Sequence, residues 1–436
     1  MDVARNRPVS ARFLPAIILA LAVLPCSCAT NPVTGKSQFM FVSEQEEVAQ
    51  GQQLYPSATQ MSEGATPHKE IQDLVTAVGN KMARSSERPN LPWEFNVVDA
   101  NEPNAYALPG GKISFTRGLL ARLDSEDEVA AVLGHEIGHV TARHSAAAQS
   151  RETLMGAALG VGGAVLGATG TTGAGAITAA GQLGASLLTT RYSRDQERQA
   201  DELGMRYMTA AGYNPRGFVQ VMEVLLAASQ KEPSKWEALF ASHPMTSERV
   251  ATAKERLAST YAKYQDRPMT TAAFARAVAP IKAEVPAFAL ADEGKKLVAA
   301  KQLAPASEKF ERAVKMAPDS PILNALWADT LFDLGNYPRA EEASSRAPGL
   351  YIGRAVNGAS NWRLRRYPQA IASLDEADKL VPGTLLVSYV RGRAYEDSGD
   401  RRAAAGEYAK VAQGTKGQGE AGGYAVQKLR EWGYAQ

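Results

Sequence analysis

Two imidazoles with a carboxylate between them, His135-Glu136-Ile137-Gly138-His139, act together only if the chain around them is α-helical. Residues four apart on a helix lie on the same face, one turn above the other, so two neutral imidazole nitrogens converge on a single ion. The flanks agree. Asp124-Ser125-Glu126-Asp127-Glu128 is an acidic, cap-rich helix start, and Val129, Val132, Leu133, Ile137 and Val140 follow at helical spacing. A zinc ion held here lowers the pKa of water from about 15.7 to about 7, and Glu136, beside the metal and not on it, is placed to take the proton as the water attacks a carbonyl. The alternative is an ordinary helix on which two histidines happen to bracket a glutamate. The chain has only 5 His in 436 residues, which makes that coincidence rare.

A catalytic zinc keeps three protein ligands and one open position, so a third ligand must come from elsewhere. The stretch Arg194-Asp195-Gln196-Glu197-Arg198-Gln199-Ala200-Asp201-Glu202-Leu203-Gly204 predicts a second helix with Glu197 and Asp201 on one face. One carboxylate would bind the metal while the other accepts a hydrogen bond from the far nitrogen of a ligating histidine. A solvated face of alternating charge accounts for the same stretch taken alone.

The H-E-I-G-H motif, followed some sixty residues later by E-R-Q-A-D, resembles the gluzincin zinc metallopeptidases of the HtpX and CAAX-prenyl-endopeptidase type, with their periplasmic BepA-like members. Three further segments are similar to that family. They are Asn104-Ala105-Tyr106-Ala107-Leu108-Pro109-Gly110-Gly111-Lys112-Ile113, Ser242-His243-Pro244 with Arg249, and Asn31-Pro32-Val33-Thr34-Gly35-Lys36-Ser37-Gln38. The resemblance spans residues 28 to about 260. It implies one zinc ion per chain on His135, His139 and Glu197, Glu136 as base, and Asp201 hydrogen-bonded behind a ligand. It also implies a substrate-side strand at Asn104, Ala105 and Tyr106. His243 is implied as a switch that occupies the open zinc position and holds the enzyme latent; the other account is a satisfied turn histidine ahead of a proline. Arg249 is placed to steady an oxyanion or to anchor the His243 loop, although a surface ion pair is the commoner fate of such an arginine. His144, five residues after His139, falls off the ligand face and is assigned a structural role, and His68 has no partner visible in sequence.

The amino terminus bears on compartment. Arg5, Arg7 and Arg12 precede an apolar stretch from Phe13 to Leu24, too short for a comfortable membrane span, which is the pattern of a secretory signal over residues 1–27. Cys28 after Ser27 resembles a bacterial lipoprotein processing site, although Pro25 and Cys26 depart from the usual pattern; simple secretion is the alternative. Processing there would leave one cysteine, acylated, and no disulfide. These features predict a periplasmic protein, lipid-anchored to the outer membrane. The formal net charge is +2 and the signal carries three Arg and one Asp, so the remainder is near neutral, with no basic patch for nucleic acid.

Beyond a proline-marked break near Ala279-Pro280 to Pro286, the chain is repetitive. Ala306/Phe310, Ala340/Ser344, Ala370/Leu374 and Ala404/Tyr408 recur at spacings of 34, 30 and 34, with Pro318, Pro348 and Pro382 after helices. That is the tetratricopeptide period with one repeat shortened by four. The segment from Thr153 to Thr190 has no charged residue and is rich in Gly and Ala; packed or lid-like helices are expected there in preference to a membrane hairpin. The expected fold is therefore mainly α (α+β). A gluzincin metallopeptidase domain (28–280), with a small sheet from Phe95–Val98 and Ile113–Thr116 that Tyr106 can join, precedes an α-solenoid of tetratricopeptide-like repeats (286–436). By resemblance, the substrates are unfolded or misfolded, or stalled, outer-membrane proteins, with the repeats contacting the outer-membrane β-barrel assembly machinery. A lipoprotein scaffold or chaperone with a mostly silent site is the competing function.

Overall fold

The computed structural model describes residues 28–158, 191–231 and 236–434; residues 1–27, expected to be a signal, and residues 159–190 of the uncharged segment lie outside the described residues. The chain opens with a short antiparallel pair, β1 (Cys28–Thr30) and β2 (Ser37–Phe39), followed by α1 (Glu44–Met61) and α2 (Lys69–Ala83). Three strands then form one sheet in the order β3-β5-β4: β3 (Glu94–Val98), β4 (Ala105–Leu108) and β5 (Lys112–Thr116). β3 runs parallel to β5, with Val97 opposite Phe115, and β4 runs antiparallel to it, with Tyr106 opposite Ser114. The β4–β5 connection turns through Gly110 and Gly111 at φ +73 and +87, a left-handed backbone that glycine adopts without strain. A Cβ on Gly110 would also lie 2.7 Å from Val48 Cα, so the turn is glycine for a second reason, the close approach of α1.

Phe95, Val97, Ala105, Ala107, Ile113 and Phe115 point into the main core. Tyr106 and Leu108 alternate to the other face, against Leu54 and Ala58 of α1. After the short α3 (Arg117–Leu120) comes α4 (Glu126–Thr141), which carries the histidine motif. Ser125 caps it by accepting from Glu128 N at 3.2 Å, and Glu126, Asp127 and Glu128 lie at the positive end of its dipole. The helix is buried along most of its circumference, between the sheet, α2 and two later helices, α6 (Arg194–Ala210) and α7 (Arg216–Lys231). α5 (His144–Ala158), α8 (Glu237–Ser242) and α9 (Ser247–Ala258) complete this part.

The expected break at 279–286 is a continuous helix. α10 (Ala272–Ala299) runs through both Pro280 and Pro286. Packing overrides the local cost of proline, because Phe274 and Ile281 are buried in the core around the sheet and α4 and Phe288 in the repeat core. The two cores meet along this helix, one ending at Ile281 and the other beginning at Ala287. Arg117 donates to the Ile281 carbonyl, between the two prolines, at 3.2 Å.

The solenoid continues as α11 (Leu303–Met316), α12 (Pro321–Asp333), α13 (Tyr337–Ser344), α14 (Tyr351–Arg363), α15 (Tyr367–Leu380), α16 (Leu385–Asp397), α17 (Arg401–Thr415) and α18 (Gly419–Glu431). The 30-residue spacing has a local cause: α13 has 8 residues where α11 and α15 have 14. Ala306, Ala340, Ala370 and Ala404 are all fully buried at helix crossings, and α18 closes the stack with Leu429 and Trp432 over Tyr408. The first repeats also bind back onto α1, where the Gln60 amide donates to Gly349 O at 3.1 Å and accepts from Tyr351 N at 2.8 Å. No described helix is long and apolar enough to cross a membrane.

Candidate metal centre

The centre exists because α4 and α6 cross very closely. A Cβ on Gly204 would lie 2.9 Å from His135 N, one on Gly134 2.9 Å from Gly204 O, and one on Gly138 3.1 Å from Ala200 Cα. With glycine and alanine at the crossing, Glu197 reaches the histidines of the neighbouring helix. Gly204→Val should therefore destabilise the fold by about 1–3 kcal/mol through overpacking and reduce metal retention. Thermal unfolding together with elemental analysis checks this; unchanged values of both would refute the crossing argument.

Four groups from three segments converge: His135, His139, Glu197 and His243 each place one ligand atom, all within 4.8 Å of one another. His139 Nε2 is 3.0 Å from His135 Nε2 and 3.3 Å from Glu197 Oε1. His243 Nδ1 is 3.2 Å from His135 Nε2 and 3.1 Å from Glu197 Oε1. Its other nitrogen lies 3.5 Å from Glu136 Oε1. Among the described residues Glu136 Oε2 is buried without a hydrogen-bond partner, as befits a base facing a reacting group. Three imidazoles and a carboxylate with their ligand atoms this close are a donor set that could hold one divalent metal ion.

The outer nitrogens explain the orientation of the inner ones. His135 Nδ1 is 3.0 Å from Asp201 Oδ1, and Arg249 clamps Asp201 with two bonds of 2.8 and 2.7 Å. The same guanidinium donates to Pro244 O at 2.9 Å and contacts Glu197 Oε2 at 2.7 Å. Arg249 is thus buried and committed to the loop that carries His243, with the geometry of an anchor and not of a surface ion pair. His139 Nδ1 is 2.9 Å from His144 Nδ1, and His144 Nε2 is 3.0 Å from Gln199 Oε1. With Gln199 accepting from His144 and His144 accepting from His139, the lone pair of His139 is left on Nε2, toward the centre. Burial pushes His144 down to about 4 and His139 well below its ordinary value, so both are neutral near pH 7. Burial raises the Glu136 carboxyl. Burial also opposes ionisation of Asp201, but the Arg249 pair outweighs it and holds the carboxyl low.

Sequence reasoning placed His144 on the motif helix; in fact α4 ends at Thr141, the chain reverses through Arg143 at φ +57, and His144 starts the next helix. That turn swings the ring back onto His139. Tyr192 was missed altogether. It stacks on His139 with ring centroids 3.8 Å apart, its hydroxyl is 3.0 Å from Ser145 Oγ, and its N–H donates to Ser242 O at 3.4 Å. Its only sequence signal is its place just ahead of the Ser193 cap of α6. Also missed was an apolar cavity of about 50 Å³ beside His135 and Glu136, lined by Val132, Phe218, Met222, Leu239 and Met245. Asn104, Ala105 and Tyr106 lie at and just before β4, at the sheet edge opposite β3. His68 is remote from the centre and bonds Glu284 at 3.1 Å. Cys28 begins β1, paired opposite Phe39.

Residues 70–257 match the family model described as Peptidase family M48. The β-barrel assembly-enhancing protease of Yersinia pestis is 27% identical over 228 residues, 52% of this chain and 46% of that protein. The mitochondrial metalloendopeptidase OMA1 of Schizosaccharomyces pombe is 28% identical over 232 residues, 52% of this chain and 65% of that protein. The chain thus spans about half the length of the β-barrel assembly-enhancing protease it matches. Among solved structures, MamA 41-end from Desulfovibrio magneticus RS-1 is similar over 34% of this chain and 86% of its own, at 14% identity and a TM-score of 0.31.

Proposed function

We propose that this chain, whose residues 70–257 match the Peptidase family M48 model, is a zinc-dependent endopeptidase of the cell envelope that is held latent by His243. The observation that supports the proposal is the convergence of His243 with the other three groups, enough to fill all four positions around a tetrahedral ion and leave none for water. Zinc bound to this set would supply Lewis acidity toward a carbonyl and toward water. Glu136 is the base that takes the water proton and returns it to the leaving amine. Asp201 and His144 hold the ligating imidazoles in the tautomer that leaves Nε2 free.

An extended substrate would pair with β4. Thr116 N donates to Asn104 O at 3.0 Å, so Asn104 and, two residues on, Tyr106 face β5, and the backbone groups of Ala105 point away from β5 to the sheet edge, which is covered in this form, Ala105 being 1% exposed, so that pairing there requires the covering chain to move. Such pairing reads an extended backbone more than a sequence, which suits misfolded or stalled outer-membrane proteins as substrates. The names of the relatives support that class. The repeats would contact those substrates or the β-barrel assembly machinery, and Cys28 would carry the lipid that anchors the chain to the outer membrane.

Latency has a direct test. His243→Ala opens one position and frees Glu136, and cleavage of an unfolded β-barrel precursor should rise about tenfold, the gain expected where the open form is a minor state. No rise, with metal content intact, would defeat the switch. Chelation should abolish that activity and lower the melting temperature, and one equivalent of zinc per chain should restore both; restoration by magnesium alone would exclude this donor set.

A further inference from the structure

The inner face of the repeats carries a groove of about 430 Å³ between α12, α14 and α16, outside the metal centre. Phe332 and Trp362 occupy equivalent positions of successive repeats, 30 residues apart, and with Val356 and Leu386 they give the groove an apolar floor. Leu386 is 44% exposed, unusual for a leucine inside a concave wall. At one end stand Asp329 and Asp333, four apart on α12 and therefore side by side. Among the described residues neither has a lysine, arginine or histidine partner, whereas most acidic side chains elsewhere on the repeats do. Asp329 is open to solvent along the groove, and partial desolvation by the groove walls together with the neighbouring Asp333 raises its carboxyl. Two like charges held together beside apolar surface are a standing electrostatic cost. The arginines of the same groove do not relieve it. Arg363 bonds the Tyr337 hydroxyl at 3.1 Å and stacks on Trp362, and Arg393 is held over Trp362 and Tyr424.

We infer that this groove binds an unfolded polypeptide segment in which apolar side chains flank a lysine or arginine, the cation docking between Asp329 and Asp333 and the apolar groups on Phe332, Val356, Trp362 and Leu386. Such a ligand supplies the missing positive charge and covers the exposed apolar floor in one event. The inference rests on the reading of the chain as an envelope peptidase that recruits protein substrates, and it adds the chemistry by which they are selected. A basic-apolar segment held by the repeats raises the local concentration of the attached chain at the peptidase domain.

The test uses the full chain carrying Glu136→Gln, so that nothing is cut, and two fluorescent peptides of the same apolar sequence, one with two lysines and the other with two glutamates in their place. The lysine peptide should bind roughly tenfold more tightly, with an affinity that falls as salt rises. Asp329→Asn with Asp333→Asn should remove most of that difference, and Phe332→Ala should weaken binding of the lysine peptide. Asp329→Lys with Asp333→Lys should reverse the preference toward the glutamate peptide. Equal binding of the two peptides, or a preference that survives charge reversal in a variant with an unchanged melting temperature, would overturn the inference. Hydrolysis of a short quenched peptide by the His243→Ala chain is measured in parallel. Its absence would count against the peptidase reading and leave the binding result to stand by itself.

Discussion

Replacing Glu136 with glutamine is expected to lower peptide hydrolysis by roughly 10²–10⁴-fold while leaving the metal content of the protein unchanged. The amide keeps the size and the buried setting of the side chain but has no basic oxygen to take a proton. Glu136 is not among the four converging ligand atoms, so the ion should be retained. The residue is 2% exposed, and burial raises the affinity of its carboxylate for a proton, which improves a base that must accept one in the transition state and release it afterwards. The measurement is best made in the His243→Ala background, because His243 Nε2 stands 3.5 Å from the same carboxylate and, on the proposed latency, would mask the effect in the parent chain. Activity within a few-fold of the parent would remove Glu136 from the reaction. Expressed in the native host, Glu136→Gln also separates two roles of the whole chain: full complementation would mean that scaffolding by the repeats carries the phenotype, and loss would mean that proteolysis does.

The parts of this centre that were legible in sequence are those fixed by helical spacing. His135 and His139 share a face because they are four apart, and so do Glu197 and Asp201. Spacing within a helix is local, but the meeting of two helices is not. That α4 and α6 touch at Gly134, Gly138, Ala200 and Gly204 needs the tertiary structure, and it is what turns two amphipathic patterns into one site. His144 was misplaced because the left-handed turn at Arg143 has no strong signature; neither glycine nor asparagine marks it. The interruption expected at the two prolines of α10 was a reasonable reading of local propensity, reversed by burial on both sides of the helix. The repeat period, in contrast, was legible down to the missing four residues, which map to the short α13. His68 shows the limit most plainly, since its partner Glu284 lies 216 positions away on α10.

That partner belongs to a buried ionic cluster from which the second large effect is expected: Arg117→Met should destabilise the protein by about 3–5 kcal/mol, because it removes one member of a buried pair and leaves the other uncompensated. Arg117 is fully buried. It lies 3.2 Å from Asp99 and 3.1 Å from Glu284, and its guanidinium sits 3.4 Å over the Phe288 ring, so it joins the strand region to the helix that carries the repeats. Burial already raises the Asp99 carboxyl to about 7 despite the arginine. An acid whose folded value lies above its unfolded value of about 3.9 binds more protons when folded, so stability falls as pH rises between those two values. His68 acts in the same direction, since Glu284 bonds its ring and raises it, and that contribution is lost as pH climbs past the folded value. Glu284 is held low by His68 and Arg117 against its own burial, so its contribution is lost in acid instead. The parent should therefore be most stable in mildly acidic buffer. Without the guanidinium, Asp99 must stay protonated to remain buried, and the loss caused by Arg117→Met should grow from pH 5 to pH 8. A melting-temperature difference of roughly 10 °C, wider at the higher pH, is expected from calorimetry. Adding Asp99→Asn should recover part of it and flatten the pH dependence, because the uncompensated charge is then gone. A difference that is independent of pH, or untouched by Asp99→Asn, would mean that Arg117 acts through packing on Phe288 and not through its charge.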